Sequence, residues 1–447
     1  MLMKTKKLPL LLLTTWHLLL VACILPLTAD AQSAFDLIER NHSFAAGSYG
    51  LYPETDLPKL TPAPDGYEPF YISHYGRHGS RYLNDMKGYI EPYKTLQAAD
   101  SLGKLTPVGQ MALREIRLNI ADAEGRWGDL ADKGKQQQSR IAHRMLQNFP
   151  QVFNDGAFVD ARSTIVTRCA LSMGTAVLQL VKERPNLEVS MNNSYSDMWY
   201  LNHQNKSLRD AAPTRSSQKA LTAFIKKYWN SDRVMNLFFN DIAYAREHVD
   251  ALWFIYYIMK ASLIQQNTER STQPNPLLQL FSSEDLYIFW QVENIWSYIQ
   301  SGFCELNGAK LPYLQVYLLQ KMIDEADSII NSQRHGASLR FGHETVILPL
   351  ACLMGINGLD LRTSRLEELE QKGWWANTVC PMAGNVQIVF YRKNVEDRNP
   401  LIKVLLNEKE ATLPLPSDLA PYYQWSDFHD FYLKRIAEGE SVLSVKR

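Results

Sequence analysis

Cysteine is scarce in this chain of 447 residues, with five in all and no two in CxxC spacing. Their spacing argues against a thiolate zinc site. Net charge is lacking as well: 47 Lys and Arg balance 47 Asp and Glu, so no global field selects nucleic acid or an acidic membrane surface as partner. An anionic ligand must instead be gathered by a local cluster of cations. Beyond the N-terminal segment there is no internal repeat and no low-complexity tract. What remains is ordinary for a folded chain, 46% apolar and 21% charged, and long enough for one large α/β domain with an accessory domain.

The first 31 residues stand apart. Lys4, Lys6 and Lys7 precede an apolar run from Leu8 to Leu27, and Ala29-Asp30-Ala31 supplies small residues for cleavage. The succession predicts a signal peptide over 1–31 and a mature chain starting near Gln32, exported to the periplasm or secreted, with no membrane span after processing. Two other readings stay open. Leu20-Val21-Ala22-Cys23 fits a lipoprotein signal that would leave Cys23 lipidated, and the run is just long enough for an uncleaved anchor, although Pro9, His17 and Pro26 weaken it. Removing three lysines and one aspartate leaves 44 cations against 46 acids, a net −2. Cys169, Cys304, Cys352 and Cys380 remain, as one disulfide or as buried thiols.

Residues 32–66, rich in Gly, Pro, Ser and Tyr, read as an irregular surface arm. Pro69–Tyr75 reads as a strand feeding the loop Gly76-Arg77-His78-Gly79-Ser80-Arg81. Thr106-Pro107 opens a helix as N-cap and first residue, and a second covers 136–148. A further strand, Ala157–Asp160, ends at Arg162 and leads into a helix through Arg168, Ser172 and Leu178. Between 192 and 331 strand signals give way to aromatic-rich helical stretches. Strands return at 337–341 and 385–392, around an almost wholly apolar helix from Glu344 to Leu353. The expectation is an α/β core built from 32–191 and 332–447, with an all-helical cap, 192–331, inserted into it.

The loop after the first strand carries the chemistry. Hydrolysis of a phosphate monoester needs charge neutralised on the equatorial oxygens while a nucleophile attacks in line. Arg77 and Arg81 are suited to clamp those oxygens, and His78 between them is the available nucleophile. The same cations oppose protonation of the imidazole. A second RHG, Arg334-His335-Gly336, has Ser338 where another arginine is needed and precedes a strand, so it reads as a solvent loop. Arg162-Ser163-Thr164 with Arg168, and His343-Glu344 after Leu339-Arg340-Phe341-Gly342, follow two further strands. Loops at the carboxyl ends of strands in an open α/β sheet converge on one crevice. No motif calls for a metal or a cofactor.

Taken together, RHGSR at 77–81, LTPVG at 105–109, RSTIVTR at 162–168, and LRFGHET running into ILPLACLMG resemble the histidine acid phosphatase superfamily, and within it the multiple inositol polyphosphate phosphatases. The resemblance implies a mixed-sheet histidine phosphatase core flanked by helices, with an inserted helical cap and no cofactor. It implies that His78 is phosphorylated, that Arg77, Arg81 and Arg168 bind the phosphate, and that His343 hydrogen-bonds the transferring group. The substrate implied is a small anionic phosphate ester, an inositol polyphosphate such as phytate. Departures are Tyr82, where many members have Pro, Ile165, where acid phosphatases often have Asp, and His343-Glu344-Thr345 in place of HAE. The family alignment sets Thr345 where HAE members have their Glu, and a hydroxyl is too weak an acid to protonate an alkoxide. Glu344, directly after the histidine, is the expected donor, with its pKa raised by a bound dianion. Cap cations expected to help are Lys206, Arg209, Lys226 and Lys227. The rival readings are a general acid or sugar phosphatase and a non-catalytic exported protein that binds phosphate esters.

Overall fold

The computed structural model describes residues 33–444, apart from Asp56 and Gln333. The signal peptide, Cys23 and the cleavage site lie outside these residues.

Ten strands are described: β1 (Glu68–Arg77), β2 (Phe158–Ser163), β3 (Glu188–Asn192), β4 (Phe303–Cys304), β5 (Gly336–Gly342), β6 (Arg362–Thr363), β7 (Asn385–Arg392), β8 (Leu401–Leu406), β9 (Lys409–Glu410) and β10 (Tyr422–Gln424). Eight form one mixed sheet in the order β10-β8-β7-β1-β5-β2-β3, with β9 on β8, while β4 and β6 pair separately. β1, β5, β2 and β3 run parallel. β7, β8 and β10 add an antiparallel wing. The central strands are buried along almost their whole length, as parallel strands covered on both faces must be. Ile72, Ala337, Leu339 and Phe341 point to one side, against Met145, Met173, Val177 and Leu180 of helices Asp132–Asn148 and Thr167–Glu183. Tyr71 and Tyr75 point to the other, against helices Val316–Ser332, Glu344–Met354 and Trp425–Ser444. On that side Arg340 is buried in an ion pair with Glu325 and donates to Ser73 and the His74 carbonyl.

A second apolar core joins helices Ala251–Ile264 and Ser283–Ser301 to Lys87–Ser101 and Pro107–Ala123. The helical layer thus draws on the 192–331 segment and on residues before β2. Thr106 caps Pro107–Ala123 through a 3.0 Å bond from the Gly109 amide.

Several parts differ from the sequence expectation, among them the two-residue strand β4, which lies within the segment expected to be all-helical. β3 was not anticipated, although its sequence, EVSMN, alternates polar and apolar residues; all five are exposed, so the alternation marks no buried face. β8, LIKVLL, is apolar apart from Lys403, and so short a run does not separate strand from buried helix. The arm is not wholly irregular. Ser33 and Asp36 close a capping box on Ala34–Arg40, and a 3-10 segment, His42–Tyr49, follows. The cysteine question resolves simply, since Cys169, Cys304, Cys352 and Cys380 are all buried free thiols.

Candidate active site

Arg77 ends β1, Ser163 ends β2 and Gly342 ends β5. The loops after these strands open at one edge of the sheet, which brings together all six residues named from the sequence. His335 lies just before β5, at the opposite edge.

The loop is pinned through its backbone. The Arg77 amide donates to the Gly384 carbonyl, the His78 amide to that of Gly342, and the Ala383 amide to that of His78, at 2.8, 2.9 and 3.0 Å. Gly79 packs on Gly134 so closely that a Cβ would stand 2.3 Å from the Gly134 carbonyl oxygen. Only glycine fits there, and the contact locks the loop onto helix Asp132–Asn148. The Gly79 amide also donates to Ser172.

Within this frame His78 is buried. Its Nδ1 lies 2.9 Å from the Gly79 carbonyl oxygen. A carbonyl only accepts, so Nδ1 carries the proton, and in the neutral ring the lone pair sits on Nε2. Nε2 has no hydrogen-bond partner and faces the cleft, 3.8 Å from a Glu344 oxygen. Burial, followed by Arg77 and Arg81, holds the His78 pKa well below its usual 6.5. The ring is therefore neutral and nucleophilic in mild acid.

Arg77 donates from one terminal nitrogen to the carbonyls of Ser48 and Cys380, and its other terminal nitrogen is buried without a partner. Its Nε lies 3.2 Å from Glu344. Arg81 donates to the Tyr82 carbonyl at 2.7 Å and keeps a buried, unpartnered Nε. Arg168, in the first turn of Thr167–Glu183, likewise has an unpartnered Nε, and burial and Arg81 lower its pKa. Arg162 is not part of the group, being held by Asp160 and Asp197. His343 is the N-cap residue of Glu344–Met354, 3.2 Å from Thr164 Oγ1, its ring 5.8 Å from that of His78. Burial lowers its pKa to about 4, against the pull of Glu344. The helix N-terminus adds its positive dipole end to the same place.

Glu344 is ionised in this free site. Burial alone would raise its pKa, but Arg77 and then Arg81 outweigh burial and hold it well below 4.5. Its carboxylate lies beside Arg77 and in front of His78 Nε2.

A cleft of about 270 Å³ continues past Glu344 and Thr345 to Arg209, Lys260, Tyr49, Tyr256 and Glu293. Arg209 donates to the Thr345 carbonyl at 3.2 Å. Lys260 lies against the rings of Tyr49 and Tyr256. Among the described residues, Arg81, Arg168, Arg209 and Lys260 have no carboxylate oxygen within 4.0 Å. Of the four cap cations expected from the sequence only Arg209 reaches the cleft. Lys206 pairs with Asp210 and Lys227 with Glu367, and Lys226 is exposed. Lys260 and the arm residues Ser48 and Tyr49 were missed. Lys260 had a signal, as the one cation in the apolar helix ALWFIYYIMKASLI. A larger cleft, about 530 Å³, has a mixed lining of amide, hydroxyl and apolar side chains with Lys409 and holds none of the six site residues.

The family model for the histidine phosphatase superfamily, branch 2, matches residues 76–407. The chain belongs to this superfamily. Its fold is that of the multiple inositol polyphosphate phosphatase of Bifidobacterium longum, whose structure with inositol hexasulfate aligns over 86% of this chain and 96% of that one at a TM-score of 0.71 and 17% identity. It is also that of the phytase from D. castellii (88% and 85% covered, TM-score 0.63, 14% identity) and the Hafnia alvei phytase in complex with myo-inositol hexakis sulphate (84% and 99%, 0.51, 11%). No curated protein matches the chain. Membership supports a phosphatase, and a small anionic phosphorylated substrate fits a superfamily site in which Arg77 is paired with Glu344 while Arg81 and Arg168 have no described carboxylate within 4.0 Å. Among the described residues no group of His, Cys, Asp and Glu is arranged to hold a metal, and no helix is long and apolar enough to cross a membrane.

The two lowered histidine pKa values set a pH dependence. Protonation of His78 or His343 would remove the nucleophile or its neighbour, so the acid limb of kcat/KM is expected at or below about pH 4. The profile must be corrected for the ester's own second ionisation near ~6. An acid limb at the ordinary histidine value of ~6.5 would contradict this assignment.

Proposed function

We propose that the chain is an exported phosphomonoester hydrolase acting on inositol polyphosphates such as phytate through a phosphohistidine on His78. Arg77, Arg81 and Arg168 bind the transferring phosphoryl group, and His343 hydrogen-bonds it. The His78 Nε2 lone pair forms the N–P bond while the ester P–O bond breaks, and Glu344 gives its proton to the departing alkoxide. Water then attacks phosphorus, its proton returns to the Glu344 carboxylate, and the N–P bond breaks to release phosphate. The three guanidinium groups supply the charge neutralisation that a divalent ion supplies elsewhere.

Glu344 reaches the donor state only when substrate binds. The dianion takes over Arg77 and Arg81, which leaves the carboxyl beside a phosphate and raises its pKa. Binding is then coupled to proton uptake.

The observation that carries the substrate class is the adjoining cleft with Arg209 and Lys260, two unpaired cations beyond those one phosphate needs. The similarity in fold to a multiple inositol polyphosphate phosphatase solved with inositol hexasulfate and to a phytase solved with myo-inositol hexakis sulphate agrees with it. Export with cleavage near Ala31 rests on the N-terminal sequence, and an intact Met1 in the isolated protein would refute the cleavage.

Salt discriminates between substrate classes. Raising ionic strength from ~0.1 to ~1 M shortens the Debye length from about 10 to 3 Å. kcat/KM for phytate is expected to fall at least about tenfold more than that for a small aryl phosphate, whose single charge cluster contacts only the clamp. Equal salt sensitivity, with no preference for phytate, would leave a general acid phosphatase.

A further inference from the structure

The segment Gly47–Gly50 precedes the residues matched by the family model, which begin at 76. It nevertheless reaches the catalytic loop. The Ser48 carbonyl accepts from Arg77. The Tyr49 carbonyl accepts from Asn267 Nδ2 at 2.7 Å, and Asn267 Oδ1 accepts from Ser80 at 2.7 Å. The Gly50 carbonyl accepts from the Met382 amide at 2.9 Å. Gly47 makes the turn with φ +57, a conformation that L side chains resist.

The Tyr49 side chain has a distinctive pair of neighbours. The Arg81 guanidinium lies over its ring, 5.5 Å from the centroid, and the Lys260 ammonium lies 5.3 Å from the same centroid. One ring thus touches a cation of the phosphate clamp and a cation of the adjoining cleft. Neither cation has a carboxylate within 4.0 Å to hold it. Arg81 is otherwise fixed by a single hydrogen bond, to the Tyr82 carbonyl. The negative face of an aromatic ring attracts a cation without neutralising it, so the charge stays available to a phosphate, which a carboxylate partner would compete for.

We propose that Tyr49 is a positioning residue for the phosphate clamp, its ring holding Arg81 and Lys260 in place as unpaired cations. The inference rests on reading Arg81 as a phosphate ligand and does not depend on the inositol polyphosphate assignment. It makes the N-terminal arm a working wall of the active site.

The test uses the full mature chain, a small aryl phosphate as substrate and inorganic phosphate as competitive inhibitor. Tyr49→Leu removes the ring and is expected to lower kcat/KM about tenfold, mainly through KM, and to weaken inhibition by phosphate by a similar factor. Tyr49→Phe keeps the ring and is expected to restore both to within about twofold of wild type. Thermal unfolding checks that each variant is folded, and if the leucine variant is not, Tyr49→Met is read in its place. A ring-less variant equal to wild type would overturn the proposal. So would equal losses in the ring-less and phenylalanine variants, which would assign the effect to the hydroxyl or to general packing. If wild type itself hydrolyses no phosphomonoester, the functional reading fails instead, and inhibition is replaced by direct phosphate binding to the same variants.

Discussion

His78→Ala is expected to lower turnover of every phosphomonoester by on the order of 10⁴-fold or more, the scale seen when a covalent nucleophile is removed. The reason is geometric. The Gly79 carbonyl fixes the Nδ1 proton, so the lone pair can lie only on Nε2, and Nε2 is the one ring nitrogen facing the cleft. No other described imidazole combines a buried, unpartnered Nε2 beside Glu344 with three arginines around it. His343 does not substitute, since its Nε2 is engaged with Thr164. Initial rates with an aryl phosphate, at enzyme concentrations high enough to detect the residue of activity, measure this. A loss of only a few-fold would mean that water attacks phosphorus directly and that His78 merely helps to bind.

The second large effect is expected from Glu344→Gln. A poor alkoxide leaving group needs a proton as the P–O bond breaks, so inositol phosphates are expected to slow by about 10²- to 10⁴-fold, the usual range for general acid catalysis. An aryl phosphate, whose leaving group is a far weaker base, is expected to lose less than about tenfold. The free site adds a second signature. Because the ionised carboxylate sits 3.2 Å from Arg77, phosphate must displace its influence in wild type but not in the glutamine variant. Inorganic phosphate is therefore expected to inhibit Glu344→Gln more strongly than wild type, and its binding is expected to lose the coupled proton uptake. Equal, modest losses with both classes of substrate, and unchanged phosphate inhibition, would assign the donor to another group or to water.

The catalytic constellation was legible in the sequence because it sits in short, order-dependent motifs placed just after strands. RHGSR follows β1, and His343-Glu344 follows β5, so topology alone brings them to one edge of the sheet. The parallel centre was legible because short β-prone segments rich in aromatic and aliphatic residues, such as PFYIS, AFVD and ASLRF, lead directly into the motif loops. What the sequence did not disclose depends on long-range contact. β3 alternates polar and apolar residues without a buried face, and β8 reads equally as helix or strand. Ser48 and Tyr49 belong to an arm whose composition says only that it is irregular, and their part in the site arises from meeting Arg77, Arg81 and Lys260 across the fold. Lysines at 206, 226 and 227 look as useful as Arg209 in one dimension. Partners far or near in sequence, Glu367 and Asp210 among them, neutralise two of them and leave Arg209 free.

The ionised Glu344 could be seen only with its surroundings in hand. Its position after His343 suggests a donor, whereas the geometry shows a carboxylate already claimed by Arg77. The two are reconciled by a substrate that takes the arginines away.

The central claim is that phosphate passes through His78. Rapid mixing of the mature protein with phytate or an aryl phosphate, followed by alkaline quench and peptide mass spectrometry, tests it most directly. The account predicts one phosphoryl group on His78, stable in base, lost in acid, unaffected by EDTA and absent from His78→Ala. Turnover with no phosphohistidine at any quench time, or activity abolished by EDTA and restored by zinc or magnesium, would contradict it.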